Sequence, residues 1–295
     1  MDAVSVRVPA TSANLGPGFD AVGLAVSIFA TVTVRPGVDP GQQRPDAMRR
    51  MIASALRAGY QRAGVAPPGH VEIEIDSAIP LGRGLGASAA ARAAGLRAAN
   101  QLLAGALSDE ALLDVGTELE GHADNIAPAL FGGLQISALD GSRVIRVAVP
   151  LPPGLQCVGF VPELSMPTHE TRNLLPKRLS RSDAVFNSSR AALLVAALAT
   201  GDWDKLRIAT EERLHQRPRS QLFPQMFDLF SAGLNAGAFG AYLSGGGSTV
   251  MSLTDGEHAE QVRDALAATA KRLDIEGTPF ITDPCAEGAT ILEPA

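Results

Sequence analysis

The sequence predicts a mixed helix-and-strand protein of two domains, on three observations. Its 295 residues are 46% hydrophobic against 19% charged, enough for a substantial core and more than one ordinary domain needs. Period-two apolar alternation recurs along the chain among stretches that read as helix. Near the middle, Pro150-Leu151-Pro152-Pro153-Gly154 interrupts both patterns and forms the clearest boundary. The expected domains are residues 1–153 and 154–295.

Taking the elements in order, Val4, Val6 and Val8 alternate and mark a first strand that Pro9 ends. The following ATSANLGPGFDAVGLAV is dense in small and turn residues. Thr11, Ser12 and Asn14 carry short polar groups there, and Gly16-Pro17-Gly18 turns the chain before Phe19-Asp20. Such a loop is either an ordinary connection or a place where binding residues sit. Residues 29–34 read as a strand, 36–45 as a loop, and 46–64 as an amphipathic helix with Met48, Ile52, Leu56 and Tyr60 near one face. Val71, Ile73 and Ile75 alternate again, and the pattern stops at Ile79-Pro80.

Residues 80–90, PLGRGLGASAA, then lead into an Ala-rich helix that reaches about residue 103. Free N–H groups and the positive end of a helix dipole at such a turn favour an anion, and Gly82, Gly84 and Gly86 let backbone approach a polyphosphate. Ser88 adds a hydroxyl in the first helical turn. An isolated Gly-x-Gly-x-Gly turn is more often only structural, and this one lacks both the Walker A ending and the dinucleotide spacing.

Ser108 is a plausible N-cap for a helix ending near Gly121, which delivers Glu118, Glu120, His122, Asp124 and Asn125 together, as a solvated helix end or as part of a site. Strands are expected at 134–139, 143–149 and 155–161, a mainly helical region at 182–216, and strands at 238–243 and 249–253 around Ser244-Gly245-Gly246-Gly247-Ser248. A helix over 257–273 and strands at 278–282 and 289–292 complete the reading.

A net charge of −6 without a Lys/Arg stripe argues against nucleic acid, and no apolar run suits a membrane span. Cys157 and Cys285 lack metal or disulfide spacing and read as small buried residues in a reducing compartment. With no signal-peptide pattern at the N-terminus, a cytoplasmic location is expected.

The stretches PATSANLGPGFDAVGLA, PLGRGLGASAA and LSGGGSTV, in this order and at these spacings, resemble the three signature motifs of the GHMP small-molecule kinases. EGHADNIAPALFGG and PTHETRNLLP narrow the resemblance to the branch that acts on L-homoserine. The resemblance covers nearly the whole chain. It implies an N-terminal α+β domain, a C-terminal ferredoxin-like domain and a cleft for ATP, Mg²⁺ and the amino acid, in a homodimer. The implied reaction transfers the γ-phosphoryl group of ATP to the side-chain hydroxyl, giving O-phospho-L-homoserine for threonine synthesis. A sister kinase for another hydroxylated amino acid or small acid, or a non-catalytic sensor, is the alternative.

Carried onto this sequence, the resemblance gives roles to particular residues. Pro80, Leu81, Gly82, Arg83, Gly84, Leu85, Gly86, Ala87, Ser88, Ala89 and Ala90 would cradle the ATP phosphates, with Gly245, Gly246 and Gly247 approaching substrate and phosphate. Ser88 and Glu120, or Glu118 in its place, would hold Mg²⁺. Arg172 and Arg219 would bind the substrate carboxylate with help from Thr168, Arg213 and Arg217 being close competitors of Arg219. Asn14, Asp20, Asp124 and Asn125 would hold the ammonium group and the hydroxyl. Asp124 and Arg172 form the catalytic set, Asp124 either taking the hydroxyl proton or orienting it.

Three positions depart from the family pattern. Ala87 stands where the second motif usually has a serine, Ser248 where the third usually has a proline, and RPDAMRR offers no asparagine for an adenine. His122 is expected to cap its helix. His70, His169, His215 and His258 are expected at the surface or in hydrogen bonds.

Overall fold

A computed structural model describes residues 3–39 and 46–293. Its first sheet is built from β1 (Val4–Ala13), β2 (Val22–Pro36), β3 (Val71–Ser77), β4 (Leu134–Asp140) and β5 (Arg143–Val149), with the helices α1 (Ala47–Arg62), α2 (Ala87–Leu102), α3 (Asp109–Glu120) and α4 (Ile126–Phe131) threaded between the strands. The chain then enters a second sheet through β6 (Leu155–Pro162). A helical excursion follows, through α5 (Thr168–Asn173), α6 (Arg181–Thr200), α7 (Leu206–Ala209), α8 (Gln216–Arg219) and α9 (Met226–Asn235). It returns in β7 (Gly240–Leu243), β8 (Val250–Asp255), α10 (Ala259–Arg272), β9 (Gly277–Thr282) and a last strand, β10 (Thr290–Leu292).

The second sheet runs β7-β8-β6-β9, antiparallel throughout. Numbering its strands by sequence and reading from the other edge gives 4-1-3-2, the βαββαβ arrangement of a ferredoxin-like unit, as expected. The first sheet runs β10-β1-β2-β4-β5, with β3 also paired to β2. Residues 290–292, expected in the second domain, therefore lie in the first sheet, where Ser5, Val6 and Arg7 face Leu292, Ile291 and Thr290. One apolar core continues from the first sheet and α2 into β6, α6 and β8, and a smaller one lies under α9 and α10.

Local chemistry explains most boundaries. Ser108 caps α3 by accepting from Ala111 N, and Gly121, at φ 87, ends it. α2 is buried almost all round, which is why its sequence is mostly alanine, with Leu96 buried at the centre. β1 extends four residues beyond the expected end at Pro9. Pro9 has no N–H to give, but the ladder to β2 shifts register between Pro9 and Ala10, so the strand passes the proline at a bulge. β2 likewise starts at Val22, which shortens the expected loop to 14–21. The expected helix over 182–216 breaks after Thr200 at Gly201, in the left-handed region at φ 74.

Both cysteines are buried and unpaired, and burial pushes the Cys157 thiol up to about 12. Among the described residues no helix is long and apolar enough to cross a membrane.

Candidate active site

Three Gly-rich turns interlock at one place. Gly82, Gly84 and Gly86 have φ of 68, 81 and 67, the left-handed region that favours glycine. Gly86 is the N-cap of α2 and supplies no side chain, so the first-turn N–H groups stay available to an anion. A Cβ on Gly86 would run into Thr11 Oγ1, which donates to Asn125 Oδ1 at 2.7 Å. A Cβ on Gly84 would run into the Ser244 carbonyl oxygen. Ser244 Oγ donates to Gly84 O at 2.7 Å, Thr249 N to Arg83 O at 3.0 Å, and Gly245 N to Ala13 O at 3.0 Å.

Beside this cradle, Ser88 Oγ donates to Glu120 Oε1 at 2.5 Å, and the other carboxylate oxygen meets Arg92, one turn further along α2. Burial holds the Arg92 guanidinium below its usual pKa. Glu118 is exposed and points elsewhere, so Glu120 is the carboxylate at Ser88.

The far end of the cavity is charged. Asn14 and Asp20 both sit at positive φ, 72 and 58, and Asn14 ties the turn by donating Nδ2 to Gly245 O at 3.0 Å and accepting from Asp20 N at 3.1 Å. The Arg172 guanidinium, from α5, grips Asp20 with Nη2 to Oδ1 at 2.5 Å and Nη1 to Oδ2 at 3.1 Å. Burial opposes its charge, but the hydrogen bonds and charge of Asp20, with Asp124 behind, leave the Arg172 pKa raised.

Arg219 is 2% exposed and lies over the same Phe19 ring as Arg172, at 5.6 and 5.4 Å. Its Nη1 donates to Gly245 O and His215 Nδ1, both at 2.9 Å. Burial, reinforced by Arg172, pulls it down to about 10, against the attraction of Glu212, Asp20 and Asp124. Arg213 and Arg217 are exposed and line no part of the cavity.

Asp124 is 3% exposed. His122 Nδ1 lies 2.5 Å from its Oδ1, and Asn125 Nδ2 donates to the same oxygen at 3.3 Å. Together these groups line a cavity of about 220 Å³ that runs from Met51 and Leu81, past the glycines, to Asp20, Arg172 and Arg219.

Comparisons with known proteins give the family. Residues 50–133 match the model of the GHMP kinases N-terminal domain, and residues 194–272 that of the GHMP kinases C-terminal domain. A homoserine kinase of Moorella thermoacetica is 40% identical over 97% of this chain and 99% of its own length. The chain belongs to the GHMP kinases. A homoserine kinase of Deinococcus radiodurans is 43% identical over 85% of this chain and 84% of its own. The crystal structure of homoserine kinase from Cytophaga hutchinsonii superposes with a TM-score of 0.88 at 30% identity, covering 99% of this chain and 98% of that one.

In this GHMP kinase the cavity brings together Asn14, Asp20, Gly82, Gly84, Gly86, Ser88, Glu120, Asp124, Asn125, Arg172, Arg219 and Gly245 to Gly247. Pro80, Arg83, Leu85, Ala89 and Ala90 do not line it; Arg83 instead donates Nη2 to Glu163 O at 2.6 Å, tying the loop to the second unit. Thr168 lies outside the residues whose side chains are described. The adenine is given no residue, since RPDAMRR offers no asparagine; its first two residues lie outside the described ones.

One histidine differs from expectation, and another, expected at the surface or in hydrogen bonds, takes the second of those places. His122 does not cap its helix, which Gly121 ends; it faces the cavity and bonds Asp124. His215 is fully buried between Gly16 O, at 2.8 Å from Nε2, and Arg219. Its position four residues before Arg219 was the readable signal, since i and i+4 share a helix face. Glu212, also unforeseen, accepts from His215 N and Gln216 N at 2.7 and 2.6 Å and so fixes the turn that carries both. Ser248, at the usual proline position, donates Oγ to Leu164 O at 2.5 Å.

The residues also suit a magnesium nucleotide. Ser88 and Glu120 offer hard oxygen donors of the kind Mg²⁺ takes alongside phosphate and water. Arg92 anchors Glu120 through Oε2, which leaves Oε1 turned to Ser88, and the Gly86 N-cap places no side chain of its own over the first turn of α2.

Proposed function

We infer that this chain phosphorylates the side-chain hydroxyl of L-homoserine with ATP, giving O-phospho-L-homoserine and ADP in threonine biosynthesis. The observation that carries the reading is that one cavity joins a phosphate cradle to a pair of guanidiniums and an acid, the complement of an amino acid's carboxylate and ammonium. The full-length relatives that are homoserine kinases support the choice of amino acid.

In this reading residues 80–90 bind the ATP phosphates through backbone N–H groups, and Gly245 to Gly247 close on the transferred group. Ser88 and Glu120 would hold Mg²⁺, which supplies neutralisation of phosphate charge when bound. Arg172, Arg219 and Thr168 take the substrate carboxylate, and Asp20, Asn14 and Asn125 hold the ammonium group. Asp124 receives the hydroxyl hydrogen bond. Both of its protein partners address Oδ1, so Oδ2 is assigned to the hydroxyl. The substrate oxygen forms the new bond to the γ-phosphorus, the bond to the β–γ bridging oxygen breaks, and the hydroxyl proton leaves by way of Asp124. A loose transition state asks for alignment and charge neutralisation more than for a strong base.

Residues 1–153 hold the nucleotide and metal and residues 154–295 supply the substrate arginines and the third glycine motif, in a cytoplasmic homodimer; light scattering checks the dimer. The deciding experiment is ADP release with Mg·ATP and L-homoserine, L-threonine, L-serine or mevalonate, with product mass measured. Turnover centred on homoserine is expected. Turnover centred on another member moves the substrate assignment, and binding without ADP makes the chain a sensor.

A further inference from the structure

The ion pair between Asp20 and Arg172 spans the two units, because Asp20 follows β1 and Arg172 belongs to α5. The two groups meet through both guanidinium Nη atoms, with 36% and 35% of their side chains exposed at the cavity. A two-point contact of this kind fixes both partners, and a ligand carboxylate that takes the same Nη edge of Arg172 must part them. Behind them is a second cation. Arg219 Nε is buried and has no hydrogen-bond partner among the described residues, and no carboxylate contacts that guanidinium. Among the described residues Asp20 is therefore the one anion in contact with either arginine, and both arginines lie over the Phe19 ring.

The geometry points to a charge-exchange lock that admits zwitterions and refuses ligands carrying only one of the two charges. An amino acid replaces one ion pair by two: its carboxylate takes Arg172 over from Asp20 and meets the unpartnered edge of Arg219, while its ammonium group becomes the partner of Asp20. A hydroxy acid without the ammonium group leaves Asp20 without a cation. An amino alcohol without the carboxylate leaves Arg172 beside Arg219 with no anion between them. In each case a desolvated charge is stranded, which costs more than the new contact returns. Asp20 thus acts in specificity through its competition for Arg172, beyond simply contacting the ammonium group.

This inference rests on the amino-acid kinase reading, and the test separates the two. Affinities of L-homoserine, 4-hydroxybutanoate and 3-aminopropan-1-ol are measured by calorimetry on the wild-type protein, Asp20→Asn and Arg172→Gln. In the wild type each half-ligand binds at least about 100-fold more weakly than homoserine. In Asp20→Asn homoserine weakens about tenfold while 4-hydroxybutanoate tightens, because Arg172 is released. In Arg172→Gln, 3-aminopropan-1-ol tightens and homoserine weakens.

The opposite signs are the diagnostic readout, since damage to the site weakens every ligand together. Asn tolerates the positive φ at position 20, and unchanged Mg·ATP affinity checks that each variant is folded. If neither half-ligand tightens in its variant, or if wild-type protein binds 4-hydroxybutanoate as well as any amino acid, the lock is wrong. If the wild type prefers a different hydroxylated amino acid and the signs still invert, the lock stands and the homoserine assignment falls.

Discussion

Replacing Gly84 with alanine tests whether the second and third glycine motifs act as one joint. The backbone there has φ 81, and a side chain in that region costs about 1–2 kcal/mol. The new Cβ would overlap the Ser244 carbonyl oxygen and sit 3.0 Å from the Gly247 oxygen, both backbone atoms that cannot rotate away. Relief needs about 1 Å of displacement between the two turns. That stretches the bonds from Ser244 Oγ to Gly84 O and from Thr249 N to Arg83 O, each worth about 0.5–1.5 kcal/mol. Stability should fall by roughly 2–4 kcal/mol, and a phosphate cradle misplaced by that distance should lose about 100-fold in kcat/KM for ATP. The amino-acid KM should change far less.

Gly105→Ala provides the control. That glycine has nearly the same φ, 79, but a Cβ there has no atom within 4 Å. It should lose about 1–2 kcal/mol and keep its ATP kinetics. Thermal melts and steady-state ADP release on both variants decide the matter. If Gly84→Ala has the kinetic constants of Gly105→Ala, the glycine is needed only for its φ, and the claim that two motifs meet without room for a methyl group is wrong.

Other expectations concern the remaining site groups. Burial, with Arg219 beside it, keeps the His215 pKa below 6.5 in the fold, so the unfolded chain takes up its proton first and stability should fall as pH drops below 6.5 toward the folded pKa. His215→Gln should flatten that part of the melting profile and raise the amino-acid KM. Ser88→Ala should weaken Mg²⁺ binding to the ATP complex by about 10- to 100-fold in calorimetry, with an unchanged melt. Glu120→Gln should weaken it too but also lower the melting temperature, because Arg92 loses its buried anion, and a double change with Arg92→Met should recover part of that loss. Asp124→Asn should reduce kcat by about 100-fold with little effect on either KM.

What the sequence revealed was whatever depends on neighbours in the chain. The alternation of Val71, Ile73 and Ile75, the Ser108 cap and the glycine turn before α2 are local, and each element lies within a residue or two of its expected place. The site arginine was separable from its competitors only by burial: Arg213 and Arg217 have the same chemistry as Arg219 but face solvent. β1 was cut short because a proline normally ends a ladder, and the bulge that rescues it exists only through its pairing with β2.

α9 was legible and was missed. Met226, Leu229, Phe230 and Gly233 follow a helical period and form its buried face. Arg92 opposite Glu120, and His215 beneath the loop at Gly16, meet partners far away in sequence, and no spacing rule predicts such pairs.

The return of β10 to the first sheet bears on how the chain is made. β1 is translated ahead of every other strand of its sheet, yet its neighbour on one side, β10, follows only after all the others. Until β10 is made, the outer edge of a valine-rich strand has unpaired backbone groups, the kind of edge that recruits other nascent chains. Arg7 sits in the middle of that edge, exposed, with its guanidinium 3.5 Å from the centre of the Phe29 ring. A fixed positive charge there repels a second copy of the same edge until β10 arrives to cover it.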